Sequence, residues 1–169
     1  CVLLSLPFIF SFYGAHRDLH DIPTRRSSDL GGAGNDTLAG GAGNDSYKFG
    51  IGGGVDTISN YAADYATAVD TVEFGEGITL SDLQLYKEGW NLRIAIRGTA
   101  DSLIIQSWFV GDSNKVDQFR FADGTMMSAA QMGACSYNIY GTGGNDTLTG
   151  TNSADLIYGN SGNDQIDGG

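Results

Sequence analysis

Apolar residues recur along this chain in two rhythms. In two separated stretches, one large apolar residue stands two positions after an aspartate. The pairs are Asp36 and Leu38, Asp45 and Tyr47, Asp146 and Leu148, Asp155 and Ile157, and Asp164 and Ile166. Each three-residue segment centred on such a residue predicts a minimal strand with one inward side chain. Between the two stretches, apolar and polar residues alternate at 69–74, 92–96 and 116–121, which predicts half-buried strands. Residues 122–125 (ADGT) supply a turn. A short helical turn is expected after Ser81 as cap, and another at 128–132. The apolar run 102–109 is expected in the core. Trp90, Trp108, Phe109, Phe119 and Phe121 read as core aromatics, with a sugar-binding platform as the alternative.

The aspartate stretches are repeats of period nine. From Gly31 the chain reads GGAGNDTLA, then GGAGNDSYK. Towards the other end it reads GTGGNDTLT (141–149), GTNSADLIY (150–158) and GNSGNDQID (159–167), followed by Gly168 and Gly169. The shared pattern is G-G-x-G-x-D-x-U-x, with U large and apolar. A further unit at 51–58, IGGGVDTI, is offset by the extra Phe49 and Gly50. Glycines allow positive φ and close backbone approach, so carbonyl oxygens can converge. The aspartate adds a charged oxygen. Ca2+ takes six to eight such oxygens at about 2.3–2.6 Å. A flexible Gly/Asn/Asp linker has no reason to place an apolar residue two after each aspartate. One unit cannot bury its apolar residue alone, so units must stack. With two units per coil, Asp146 and Asp164 fall on the same side, and Asp56 is expected to face Asp36. The turn with Gly41, Gly43 and Asp45 has no obvious partner in the sequence.

Charge and composition narrow the function. The formal charge is −11, which argues against nucleic acid, since phosphate binding needs clustered Lys and Arg. There are 26 glycines, well above the usual ~7%. Both prolines and both histidines lie within residues 1–30. That segment reads as a non-native or disordered leader. Its apolar run at 2–13 lacks a basic flank and is too short to span a bilayer as a helix. Beyond it there is no His, so Ser-His-Asp, Cys-His and His-ligated zinc chemistry are unavailable there. Cys135 stands alone in that part, without an intrachain disulfide partner. The chain is therefore expected to be no enzyme.

The nonapeptides resemble the calcium-binding repeats of RTX proteins. Residues 70–83 (DTVEFGEGITLSDL), 103–109 (LIIQSWF) and 118–125 (QFRFADGT) resemble the haemolysin-type calcium-binding protein related domain found between RTX repeat blocks. The resemblance implies an all-β fold, with parallel β-roll segments (a calcium-binding β-solenoid) at both ends and a β-rich insert between them. The expected division is 1–30 leader, 31–58 first repeat block, 59–135 related domain and 136–169 second, truncated block. It implies calcium between same-side turns of successive coils, held by carbonyls and aspartates. Carried onto this chain, one site takes Thr142, Gly144, Asp146, Gly159, Ser161 and Asp164. A second is half-built from Thr151, Ser153 and Asp155, with Gly168 beginning the facing turn. Ser153 departs from the usual glycine. An N-terminal site takes Gly32, Gly34, Asp36, Ile51, Gly53 and Asp56. The resemblance further implies a secreted, extracellular protein exported by a type I secretion apparatus and folded by external calcium, whose wider chain can carry an enzyme domain. The alternative is an adhesin or carbohydrate-binding segment; membrane or glycan contact has no support in the sequence.

Overall fold

A computed structural model describes residues 28–61 and 63–169. The expected leader lies outside these residues except at its end, where β1 (Ser28–Leu30) forms an edge strand. Thirteen further strands follow, consistent with an all-β chain. They are β2 (Thr37–Leu38), β3 (Ser46–Phe49), β4 (Val55–Ile58), β5 (Thr71–Phe74), β6 (Leu83–Glu88), β7 (Asn91–Ile96) and β8 (Ser102–Ile105), then β9 (Gln118–Arg120) and β10 (Met126–Ser128). After the short helix α1 (Ala129–Gly133) come β11 (Asn138–Tyr140), β12 (Thr147–Thr149), β13 (Leu156–Tyr158) and β14 (Gln165–Asp167).

Consecutive nonapeptide strands go to opposite walls, as a β-roll requires. One wall runs β1-β3-β5-β9-β10, parallel until β10 closes it as an antiparallel hairpin with β9. The other runs β13-β11-β6-β7-β8-β4-β2. Its two flanks are parallel, and the β6-β7-β8 meander joins them antiparallel. The remaining pair, β12 and β14, is parallel. The middle region is thus more than an insert. Through β5, β8 and β9 it prolongs both walls of the first roll, and through β6 it receives the second.

The alternating stretches became strands because one face meets a core. β5 and β7 alternate half-buried and buried positions along their whole length. Val72, Leu92, Ile94, Leu103, Ile105 and Phe119 are fully enclosed, and Trp108 packs edge-on against Phe119 at 5.8 Å. In contrast, the inward residues of the second block beyond Ile139 are poorly covered. Leu148 and Ile157 are only partly buried and Ile166 is 52% exposed. Hydrophobic burial alone gives that block little stability.

Three local expectations need correction. Trp90 is 66% exposed, because it sits at the tip of the β6-β7 hairpin rather than in the core. Phe109 is half-buried. Thr79, not Ser81, caps the 3₁₀ turn Leu80–Asp82: the Asp82 carboxylate accepts from the Thr79 N–H at 2.8 Å and from its hydroxyl at 2.6 Å. Ser128 does cap α1, accepting from Gln131 N–H while the Gln131 side chain accepts from Ser128 N–H. Phe119→Ala should lower stability by about 3–5 kcal/mol in urea unfolding at saturating calcium. Trp90→Ala should change it by less than ~0.5 kcal/mol. Equal losses would show that the core is assigned wrongly.

Candidate metal centres

The two best sequence-predicted pairs of turns share one geometry. In the first block, Asp36 N–H donates to Asp56 Oδ1 at 3.0 Å across one coil. In the second, Asp146 N–H donates to Asp164 Oδ1 at 3.0 Å. The strands hold these turns in step: Thr37 pairs with Thr57, and Thr147 with Gln165. Side-chain bridges repeat as well, with Asn35 Oδ1 accepting from Val55 N–H and Asn145 Oδ1 from Asn163 N–H. The two-residue slip caused by Phe49 and Gly50 is absorbed, so Asp56 does face Asp36.

Glycine is required where the turns touch. A Cβ at Gly162 would collide with the Gly144 carbonyl oxygen, and its φ is +123°. A Cβ at Gly54 would collide with the Gly34 carbonyl oxygen. At Gly31, a Cβ would lie 2.8 Å from Asp56 Oδ2 and 3.3 Å from Asp36 Oδ2. Two carboxylate oxygens therefore converge on the space over one glycine. Asp36 Oδ2 is buried there with no hydrogen-bond partner. Burial, followed by the charges of Asp36 and Asp101, pushes the Asp56 carboxyl above its ordinary value of 3.8, against the Asp36 N–H. The unpartnered Oδ2 of Asp36, converging with Asp56 Oδ2, fits a hard dication.

The other predicted residues are placed as follows. Thr151 N–H and Oγ1 donate to Asp155 Oδ2, whose Oδ1 accepts from Tyr137 N–H at 3.0 Å. Gly168 stacks over Gly150, where a Cβ would strike its carbonyl, so the half-built site does meet the start of a facing turn. Ser153 N–H reaches Thr151 Oγ1 at 3.2 Å. The Gly53 carbonyl accepts from Gly34 N–H, and the Ile51 side chain is 58% exposed. Thr142 N–H and Oγ1 both reach the Asp146 carboxylate, and Gly144 N–H reaches Thr142 Oγ1. Gly141 and Gly159 pack against the Asp146 and Asp164 carboxylates.

The turn with Gly41, Gly43 and Asp45 finds partners that the sequence reading missed. Gly43 N–H donates to Asp64 Oδ2 and Asp45 N–H to Asp70 Oδ1, both at 2.9 Å. Asp70 N–H in turn donates to Asp117 Oδ2 at 2.8 Å. Asp45, Asp70 and Asp117 thus form a ladder along one wall, each just before a paired strand residue. Asn60 braces it, donating to Asp70 Oδ2 and accepting from the Tyr47 hydroxyl. Burial, then the charges of Asp117 and Asp64, raise the Asp70 carboxyl, opposed by Asp45 N–H and Asn60. On the opposite wall Asp101 accepts from Gly52 N–H and Gly54 N–H, which hold its carboxyl below the ordinary value. A signal existed: Val72, Phe119 and Leu103 each stand two residues after Asp70, Asp117 and Asp101. Among the described residues, no three His, Cys, Asp or Glu side chains gather around one point. A metal here must draw on two aspartates and backbone carbonyls.

The comparisons agree with this geometry. Residues 30–58 and 140–169 match the RTX calcium-binding nonapeptide repeat (4 copies). Residues 91–131 match the haemolysin-type calcium binding protein related domain, which covers 103–109 and 118–125 but not 70–83. The chain is similar to the iron-regulated protein FrpA of Neisseria meningitidis serogroup C, 35% identical over 88 residues. That alignment spans 50% of this chain and 8% of the relative. With both repeat blocks, the related domain between them and aspartates stacked coil on coil, this chain belongs to the RTX repeat proteins, and its nonapeptides bind calcium.

Proposed function

We propose that this chain is a calcium-dependent folding module of a secreted protein. The observation that carries the proposal is the aspartate stacked on aspartate at 36/56 and 146/164. The backbone contact brings the two carboxylates onto neighbouring turns, and like charges gathered in this way oppose folding until a cation neutralises them. The sparse apolar burial of the second block supports the same reading. Calcium binding then becomes folding free energy.

The ligands follow the turns. Gly32, Gly34, Asp36, Ile51, Gly53 and Asp56 hold one ion, and Thr142, Gly144, Asp146, Gly159, Ser161 and Asp164 another. Thr151, Ser153 and Asp155 hold half a site. Gly41, Gly43 and Asp45 face Asp64 and Asp70. The ion supplies charge neutralisation and a cross-link between coils; the chain's part is to aim oxygens and exclude water. Export unfolded through a type I apparatus, with folding in extracellular calcium, follows from the RTX resemblance. Among the described residues no helix is long and apolar enough to cross a membrane.

The module works by binding rather than catalysis. Burial raises the Cys135 thiol, which disfavours the reactive thiolate. The glycan-binding alternative draws little support. Of the middle-region aromatics that would form its platform, Trp90 is exposed, Phe109 is half-buried, and Trp108, Phe119 and Phe121 are buried.

Circular dichroism should show strand signal rising on calcium addition and falling on chelation. An unchanged signal would overturn calcium-coupled folding. Asp146→Ala should weaken calcium binding at the second block at least roughly tenfold by calorimetry, since it removes a charged ligand worth more than ~1.4 kcal/mol. Gly162→Ala should also disrupt that block, because its Cβ has no room. The pH dependence has a defined sign. The folded-state values of Asp56 and Asp70 are raised above 3.8. Stability from their protonation in the calcium-free fold is therefore full below the unfolded value and lost as pH rises through the folded one. Calcium needs the ionised form, so its affinity should rise through the same window. Calorimetry in mildly acidic and neutral buffers checks this, and equal affinity would contradict it.

A further inference from the structure

The second block meets the middle region through a contact that the repeats do not supply. β6 pairs with β11 at Tyr86 and Asn138. The next residue, Lys87, lays its Nζ on two backbone carbonyls of the repeat, Thr149 O at 2.6 Å and Gly150 O at 3.0 Å. The Phe109 ring lies 5.4 Å from the same Nζ. Burial draws the Lys87 pKa down and the charge of Asp155 draws it up, so the ammonium and that carboxylate act on each other.

Gly150 and Asp155 are the first and sixth residues of one nonapeptide. They are oxygen donors that this turn would lend to a calcium on its inner side. That side faces no glycine turn. It faces the segment that leads into β11, and the group that meets Asp155 Oδ1 is Tyr137 N–H. The facing segment brings no second aspartate.

We infer that Lys87 is a built-in cation that closes this turn in place of calcium, keeping the β11 and β13 coil docked on the middle region when calcium is withdrawn. An ammonium supplies the positive charge and two donors to carbonyls that would otherwise need a metal. Asp101 is its counterpart at the first block, a tethered anion on the N–H groups of Gly52 and Gly54. The middle region thus meets each roll with one charged side chain on its turn, an ammonium on carbonyls at the second block and a carboxylate on N–H groups at the first. Calcium dependence then grows outward from the middle region, and the inner coil of the second block is spared.

This inference rests on calcium-coupled folding, and the test separates the two. Hydrogen exchange by mass spectrometry is run on the whole chain in calcium and in chelator, for wild type, Lys87→Met and Lys87→Arg. In chelator, wild type should lose protection at 31–45 and 159–167 but keep it at 149–158. Lys87→Met should lose protection at 149–158 in chelator and hold it in calcium, whereas Lys87→Arg should behave as wild type. Loss at 149–158 in chelated wild type, or equal exchange of Lys87→Met and wild type, overturns the inference. So does loss in Lys87→Met in both buffers, which would mark a packing role independent of calcium. Full protection at 31–45 and 159–167 in chelated wild type would overturn calcium-coupled folding instead, and the Lys87→Met comparison would still decide the role of Lys87.

Discussion

The structure depends on one repeated contact, a backbone N–H of an aspartate given to the carboxylate of the aspartate one coil on. It sets the register of the turns and so of the strands that leave them. It also brings negative charges together as coils are added. The contact that builds the fold is therefore also the one that gathers the charge a bound cation would neutralise. Glycines make the contact sterically possible, since the turns approach so closely that a Cβ at Gly162 or Gly54 would strike a carbonyl.

The middle region shows what remains when the glycines are removed. Asp70 and Asp117 keep the aspartate contact and the inward residue two positions later, but lose the glycine turn. Stability there comes instead from a real core around Trp108, Phe119 and Leu103. The Asp70 and Asp101 carboxylates in this part are satisfied by side chains and N–H groups, as Asn60 does for Asp70. Apolar burial rises over a few strands, while the same walls continue.

Much of this was legible in the sequence, for a physical reason. The nonapeptide states its own strand, turn and ligand within nine residues, so Asp146 and Asp164 could be paired by counting. The slip at Phe49 and Gly50 was also legible, because both flanking units keep the D-x-U offset. What was hidden depends on contacts distant in sequence. Asp45 and Asp70 are 25 residues apart, and Asp70 and Asp117 are 47 apart, with meanders and loops between them. No fixed spacing announces such pairs. Trp90 was misplaced because its size was read as core, although its neighbours Glu88, Gly89 and Asn91 suit a hairpin tip. Lys87 belongs to no motif in the sequence, and only the pairing of β6 with β11 brings it to the repeat.

The seven-stranded wall has a kinetic meaning. Its centre, β6-β7-β8, is built from neighbours in sequence, so it closes small loops and costs little entropy to form. Parallel coils, by contrast, need a surface to grow on. Once formed, the meander offers two such surfaces, β8 for β4 and β2, and β6 for β11 and β13. As a double-sided seed it would let one roll be laid down backwards along the chain and the other forwards.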